Sequence, residues 1–153
     1  MRYLLIVLIF FSLNCKGQHI FSEKSAKHKR FALYTLAIGL DAVGDALNDE
    51  GHKDWGHACN ALSIGTHLYI PFDKDLQGLF RSNSSQFKEL GKNVLIYSGI
   101  RFAIFNLIYN SVRGLPLNYA GTTDFIDKSG MNSSLFLKGI TLTLVISLNY
   151  KKL

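Results

Sequence analysis

The sequence predicts an all-α fold, in which a small four-helix membrane-associated domain follows an N-terminal signal peptide. Three observations support this class. Three long runs rich in apolar residues are separated by Gly51 and Pro71, which typically end helices. Acidic residues recur at every fourth position in the first run, which is a helical spacing. Only one stretch, near the C-terminus, alternates as a strand would, and it has no second strand to pair with.

Residues 1–17 have the features of a secretory signal peptide. Arg2 precedes an apolar centre over residues 4–13, and Cys15 and Gly17 are small residues at the positions that signal peptidase requires. Because a bilayer-spanning helix needs about 20 residues, we expect cleavage before Gln18 and a single domain over residues 18–153. The alternatives are lipidation of Cys15 and retention of the segment as an anchor. The protein is therefore expected to be exported to the periplasm or the bacterial envelope membrane.

Composition and charge restrict the classes of partner. The chain of 153 residues has a formal net charge of +6, with a basic cluster at Lys24, Lys27, Lys29 and Arg30. Such a cluster before an apolar helix predicts contact with anionic lipid head groups, although a solvated N-terminus would look the same. Nucleic-acid binding is not expected, because the basic residues are not interleaved with aromatic residues. No protein partner can be identified.

The first two helices are expected over residues 31–48 and 54–70, with Ser25 as a possible N-cap before the first. Their short connector predicts an antiparallel hairpin. A third helix is expected over residues 87–112 and is followed by a long loop over residues 114–134, which is uncommon in so small a domain. The last element, residues 135–153, alternates apolar and polar residues from 141 to 150. We expect a fourth helix there, with a strand as the alternative.

A polar core is predicted between the first three helices. Asp41 and Asp45 lie one helical turn apart in an apolar run, and buried carboxylates require partners. The available partners are His57 and His67 in the second helix and Arg101 in the third. An ion pair of Asp41 or Asp45 with Arg101 would be purely structural. Alternatively, Asp41, Asp45, His57 and His67 could bind a divalent metal such as zinc, manganese or iron.

The motif evidence for an enzyme is weak. The sequence contains neither HExxH nor a P-loop, and it lacks an EF-hand pattern and a GxSxG serine. Catalytic residues and a substrate therefore cannot be assigned. The sequence favours an exported, membrane-associated helical envelope protein of unknown activity with a buried Asp/His/Arg polar core. The alternative is a small metal-dependent hydrolase or metal-binding protein, whose site the loop at residues 119–127 would cover.

Overall fold

A computed structural model describes residues 23–73, 76, 86–120 and 130–150 of the chain. Within these ranges the protein is all-helical and contains no strand, as the sequence predicted. The four α-helices are α1 (Glu23–Asp49), α2 (Lys53–Tyr69), α3 (Gln86–Val112) and α4 (Leu135–Tyr150), and short 3₁₀ turns lie at Ile70–Phe72 and Met131–Ser133. The predicted signal peptide at residues 1–17 and most of the loop segment at residues 119–127 lie outside the described residues.

Helix α1 is longer than the sequence predicted. It begins at Glu23 instead of residue 31, so Ser25 lies within the helix and is not its N-cap. The physical reason is tertiary packing: Lys27 and Arg30 are buried on the inner side of the helix. Contacts of this kind stabilise a helical segment more than its intrinsic propensity does. The basic N-terminal segment is therefore part of the bundle.

The alternating C-terminal segment forms helix α4, and the strand alternative is wrong. Lys138, Val145 and Asn149 are its buried residues. Their spacing of seven and four positions places them on one face of a helix. Val145 packs in the main apolar core with Ile96 and Ile100 of α3.

Helices α1 and α2 form the predicted antiparallel hairpin. Their connection is a tight turn in which Gly51 has a φ of 87° and the His52 amide donates to the Leu47 carbonyl over 2.8 Å. A left-handed glycine followed by this bond is a common helix C-terminal motif. Beyond the turn, the two helices cross closely at Gly44 and Gly56. A methyl group added to Gly44 would lie 2.9 Å from the Gly56 carbonyl oxygen.

Helix α1 lies between α2 and α3, and α4 packs mainly on α3. The core between α1 and α3 is apolar, and Ile38, Ile96 and Ile100 are fully buried in it. No helix in the described part of the chain is long and apolar enough to cross a membrane.

Candidate functional site

Arg101 and Asp41 form an ion pair between α3 and α1, as one of the sequence predictions proposed. The pair is not fully buried, because 27% of the Asp41 side chain and 41% of the Arg101 side chain remain accessible. The guanidinium carbon lies 4.4 Å from the centroid of the Phe105 ring. Burial lowers the pKa of Arg101, but Asp41 and Tyr97 outweigh it and raise this pKa overall. The guanidinium is therefore held charged between a carboxylate and an aromatic face.

His67 extends the polar network from α2. Its Nδ1 lies 2.9 Å from the Ser63 carbonyl oxygen, and its Nε2 lies 3.1 Å from the Tyr97 hydroxyl. Since a carbonyl only accepts, Nδ1 carries a proton, and in the neutral ring Nε2 accepts from Tyr97. The Ser63 hydroxyl in turn donates to the Ala37 carbonyl of α1 over 2.8 Å. Both nitrogens of His67 are thus occupied within the bundle.

Tyr97 is the residue that sequence reasoning missed in this network. It lies on α3 one turn before Arg101, which is the spacing of residues that share a helix face. Its ring also packs edge-on against Tyr34 of α1, with ring centroids 5.5 Å apart. That i, i+4 relationship to Arg101 was the available signal. Tyr97 therefore connects the predicted residues Arg101 and His67.

Asp45 and His57 occupy different surroundings from those predicted. Asp45 accepts a hydrogen bond from the Asn60 amide over 3.1 Å. Burial raises the pKa of Asp45, the Asn60 bond partly lowers it, and the neighbouring Asp41 adds to the rise. The His57 side chain is exposed on α2. The structure therefore joins Asp41, His67 and Arg101 through Tyr97, places Asp45 against Asn60, and leaves His57 at the surface.

A metal centre would need several ligands at one point. Among the residues that the structure describes, no group of three or more His, Cys, Asp or Glu side chains could hold a metal ion. Asp41 is paired with Arg101, and His67 is paired with Tyr97 and a carbonyl. Binding of a metal by Asp41, Asp45, His57 and His67 would require these contacts to be broken and His57 to turn inward.

The most deeply buried charge of the described bundle is Arg30, which is 0% exposed. Its guanidinium donates to the side chain of Asn149 on α4 and to Asn93 Oδ1 on α3 over 2.8 Å. Asn149 Nδ2 donates back to the Lys27 carbonyl over 3.0 Å. The sequence placed Arg30 in a surface cluster, so the buried polar centre of α1, α3 and α4 was not foreseen.

Three residues of the predicted lipid-binding basic cluster, Lys27, Lys29 and Arg30, have contacts within the protein. Lys27 and Arg30 are buried, and the Lys29 ammonium forms an ion pair with Asp73 over 2.7 Å. The side chain of Lys24 lies outside the described residues. The described members of this cluster therefore contact protein groups, and the predicted contact with lipid head groups stays a prediction.

A groove of about 310 Å³ opens beside His67 and Tyr97, between α1, the end of α2 and the start of α3. Its apolar lining comes from Ile70, Pro71, Leu90 and Val94. Tyr34 and Asn93 add polar groups to the same lining. Burial raises the pKa of Tyr34, while the charge of Arg30 lowers it in part. The groove is therefore an apolar space with a few polar groups at its wall.

Comparison of the chain with models of protein families, with curated proteins and with solved structures finds no match in any of the three. The fold and the described contacts define a class only: a small α-helical protein with hydrogen-bonded polar groups between its helices.

Proposed function

We propose that this protein is an exported, membrane-associated helical protein of the bacterial envelope, with a structural and non-enzymatic polar interior. The outward face of α4 is the observation that supports this best. Phe136 is 76% exposed and Leu144 is 64% exposed, and Ile140 lies between them at one-turn spacing. Soluble proteins rarely leave such a continuous apolar face in water.

Helix α4 also lacks charge on that face. Its only ionisable charged residue is Lys138, which is buried on the inner side. The remaining residues opposite Lys138 are Thr143 and Ser147, whose hydroxyl groups are tolerated at an apolar surface. A helix on the surface of a soluble protein usually has its charged residues outward. Helix α4 has the opposite distribution, with its charged residue inward and its apolar residues outward, as expected for a helix that contacts lipid.

The other helices add to this pattern. Exposed apolar side chains also occur on α2 and α3, including Leu62, Leu68, Leu90 and Leu95. Buried polar residues meanwhile lie between the helices, as Arg30, Asn93, Asn110 and Asn149 do. In water this distribution would be unfavourable, because apolar burial is the main driving force of folding. Contact with lipid would remove the exposed apolar area from water.

A peripheral position agrees with the length of α4 over its described residues. The 16 residues of α4 extend over about 24 Å, which is less than the roughly 30 Å of a hydrocarbon core. We therefore place α4 along the membrane surface, with its apolar face in the interfacial region. The predicted signal peptide supports export, and a retained or lipidated N-terminus would add a second attachment.

The alternative is a small metal-dependent hydrolase or metal-binding protein, and the described contacts favour it less. Asp41 and His67 are engaged by Arg101 and Tyr97, and His57 is exposed. Elemental analysis of the purified protein tests this alternative. Stoichiometric zinc, manganese or iron that is lost in Asp41→Ala, His57→Ala protein would support it and would contradict a purely structural role.

Vesicle flotation tests the proposed membrane association. We expect the chain without residues 1–17 to float with phosphatidylcholine vesicles, and Phe136→Glu, Leu144→Glu protein to stay in the lower fractions. The control is Ala32→Glu, Ser111→Glu protein, which adds the same charge at exposed positions of α1 and α3. Each variant is first shown to be helical by circular dichroism.

The contrast between the two double variants decides the result. Equal flotation of both, or failure of the unaltered chain to float, would contradict the role of the α4 face. Neutral lipid is chosen because Lys27 and Arg30 are buried, so binding is expected not to require anionic head groups.

A further inference from the structure

We propose that the outward face of α2 binds a second copy of this chain, so that two α2 helices pack antiparallel about a twofold axis. Phe72, in the 3₁₀ turn directly after α2, is the last residue of this face. The face is formed by six residues at alternating spacings of three and four positions: Trp55, Ala58, Leu62, Gly65, Tyr69 and Phe72. We call these six residues the α2 stripe. It belongs to a different helix from the α4 face, and its pairing does not depend on membrane association.

The α2 stripe is an apolar surface on the outside of the bundle. All six of its residues are exposed, and their spacing is the heptad pattern by which one helix packs along another. Residues 58–72 include no Asp, Glu, Lys or Arg. The polar side chains of Asn60, Ser63 and His67 instead form hydrogen bonds towards α1 and α3. A surface helix in water usually has the opposite distribution, with polar residues outward.

Large and small side chains alternate along the α2 stripe. A methyl group added to Gly65 would meet no atom within 4 Å, so a gap is open between Leu62 and Tyr69. Because the spacings read the same from both ends, an antiparallel pair places position 65 opposite position 62 and position 58 opposite position 69. Gly65 then faces Leu62, and Ala58 faces Tyr69. A parallel pair would place each small residue opposite itself, and the resulting gaps would lose dispersion contacts.

The area of the α2 stripe is sufficient for a dimer. At 72%, 50% and 76% exposure, the side chains of Trp55, Tyr69 and Phe72 present about 400 Å² of surface. Leu62 and the adjacent Leu68, both more than half exposed, add about 100 Å². Two copies would bury about 1,000 Å² before the small residues are counted, which is the minimum for a specific interface between proteins.

The position and shape of α2 favour a second copy over a lipid surface. Helix α2 packs mainly on α1, so its outer side is accessible to a helix of equal length. A lipid layer does not require large residues to alternate with small ones. A twofold pair of α2 stripes uses this alternation, because each gap receives a large side chain of the other copy.

Sedimentation equilibrium in detergent-free buffer tests the dimer. The sample is the chain without residues 1–17, which retains every described residue. We expect a dimer at micromolar concentration, and we expect Leu62→Glu to weaken dimerisation at least about tenfold, because the charge would be buried against the second copy. The control, Leu144→Glu, places the same charge on the α4 face and should leave the dimer intact. A monomer at concentrations up to about 100 μM, or equal loss in both variants, would overturn the proposal.

Two substitutions at Gly65 test the antiparallel packing. Gly65→Leu adds apolar surface where a single chain is open, so the fold should tolerate it and nonspecific association would increase. In the proposed dimer the added side chain would collide with Leu62 of the other copy, and we expect dimerisation to weaken at least about tenfold. Gly65→Ala is the matched control and should keep the dimer, since Ala58 occupies the equivalent small position. Unchanged or stronger dimerisation of Gly65→Leu protein would refute this packing.

Vesicle flotation separates this proposal from the membrane association. Leu62→Glu protein should still float with phosphatidylcholine vesicles, because its α4 face is unaltered. Loss of flotation in Leu62→Glu protein, together with an unaltered chain that is monomeric in buffer, would assign the α2 stripe to lipid contact and overturn the dimer.

Discussion

Asn149 Oδ1 of α4 accepts two hydrogen bonds from Arg30 of α1, over 3.0 Å from Nε and 2.6 Å from Nη2. The two residues are 119 positions apart, and both are 0% exposed. Because a buried guanidinium must keep its hydrogen bonds, this contact holds the last helix against the first. The polar centre of the protein is therefore at Arg30, and the Asp41–Arg101 pair lies in a more exposed position.

Asn149→Leu is expected to lower the free energy of unfolding by about 3 kcal/mol, because it removes the side-chain oxygen that accepts two hydrogen bonds from the buried Arg30. Denaturant unfolding monitored by circular dichroism measures this change. Asn118→Leu, at an exposed position, is the control and should change stability by less than about 0.5 kcal/mol. Arg30→Met combined with Asn149→Leu should recover part of the loss, and an additive double variant would contradict direct coupling.

Gly44→Ala is expected to destabilise the hairpin of α1 and α2 by about 1–3 kcal/mol. The added methyl would lie 1.7 Å from Asn60 Oδ1 and 2.9 Å from the Gly56 carbonyl oxygen, so the helices would have to separate. Gly65→Ala is the matched control, since a methyl there meets no atom within 4 Å. It should stabilise the protein by up to about 1 kcal/mol through helix propensity. Thermal unfolding of both variants checks the contrast, and equal effects would refute the close crossing.

Asp41→Asn is expected to cost only about 1 kcal/mol. The pair with Arg101 is partly accessible, at 27% and 41% of the two side chains, so solvent screens it. A fully buried pair would instead lose about 3–5 kcal/mol when one partner is removed. The difference between Asp41→Asn and the unaltered chain should shrink in 1 M salt, where the screening length is about 3 Å. A large, salt-independent loss would show that the pair is effectively buried.

Asp45 should make stability fall as pH rises. Burial raises the pKa of Asp45 in the folded state above its ordinary value of 3.8. The folded protein therefore holds this proton more tightly than the unfolded chain, and the stabilisation is lost as the pH increases from 3.8 through the raised folded pKa. Asp45→Asn, which can still accept from Asn60, should raise the melting temperature at pH 7.

The same comparison at low pH provides the control for Asp45. Below pH 3.8 the carboxyl group is protonated in both states, so Asp45→Asn should have little effect there. As a second control, Glu50→Gln removes an acidic side chain at an exposed turn position, which is less buried than Asp45. A pH-independent effect of Asp45→Asn would contradict the raised pKa.

The presence of the helices and the α1–α2 hairpin could be predicted from short-range signals in the sequence. The i, i+4 acids of α1, Gly51 in the turn and Pro71 after α2 are short-range signals, and the observed helices agree with them to within a few residues apart from the start of α1. The start of α1 is the exception. Lys27 and Arg30 look like solvated residues in the sequence, and only their contacts across the bundle make the segment helical.

The polar network could also be predicted in part. Asp41 and Arg101 stand out as charges in apolar runs, and their pairing needs only that α1 and α3 pack side by side. The i, i+4 spacing to Arg101 distinguishes Tyr97, but its hydrogen bond to His67 could not be predicted, because that contact depends on the orientation of α2 that brings His67 Nε2 to 3.1 Å from the hydroxyl. His57 could not be separated from His67 by spacing alone.

The amino-acid sequence by itself determined the all-helical class, the α1–α2 hairpin and the charged residues available for pairing, since periodicity and turn chemistry act over a few residues. Only the tertiary structure decided which charges are buried, that α4 directs Lys138 inward and Phe136 outward, and that Arg30 meets Asn149. These features depend on contacts between residues distant in the chain, and local patterns contain no information about which faces meet.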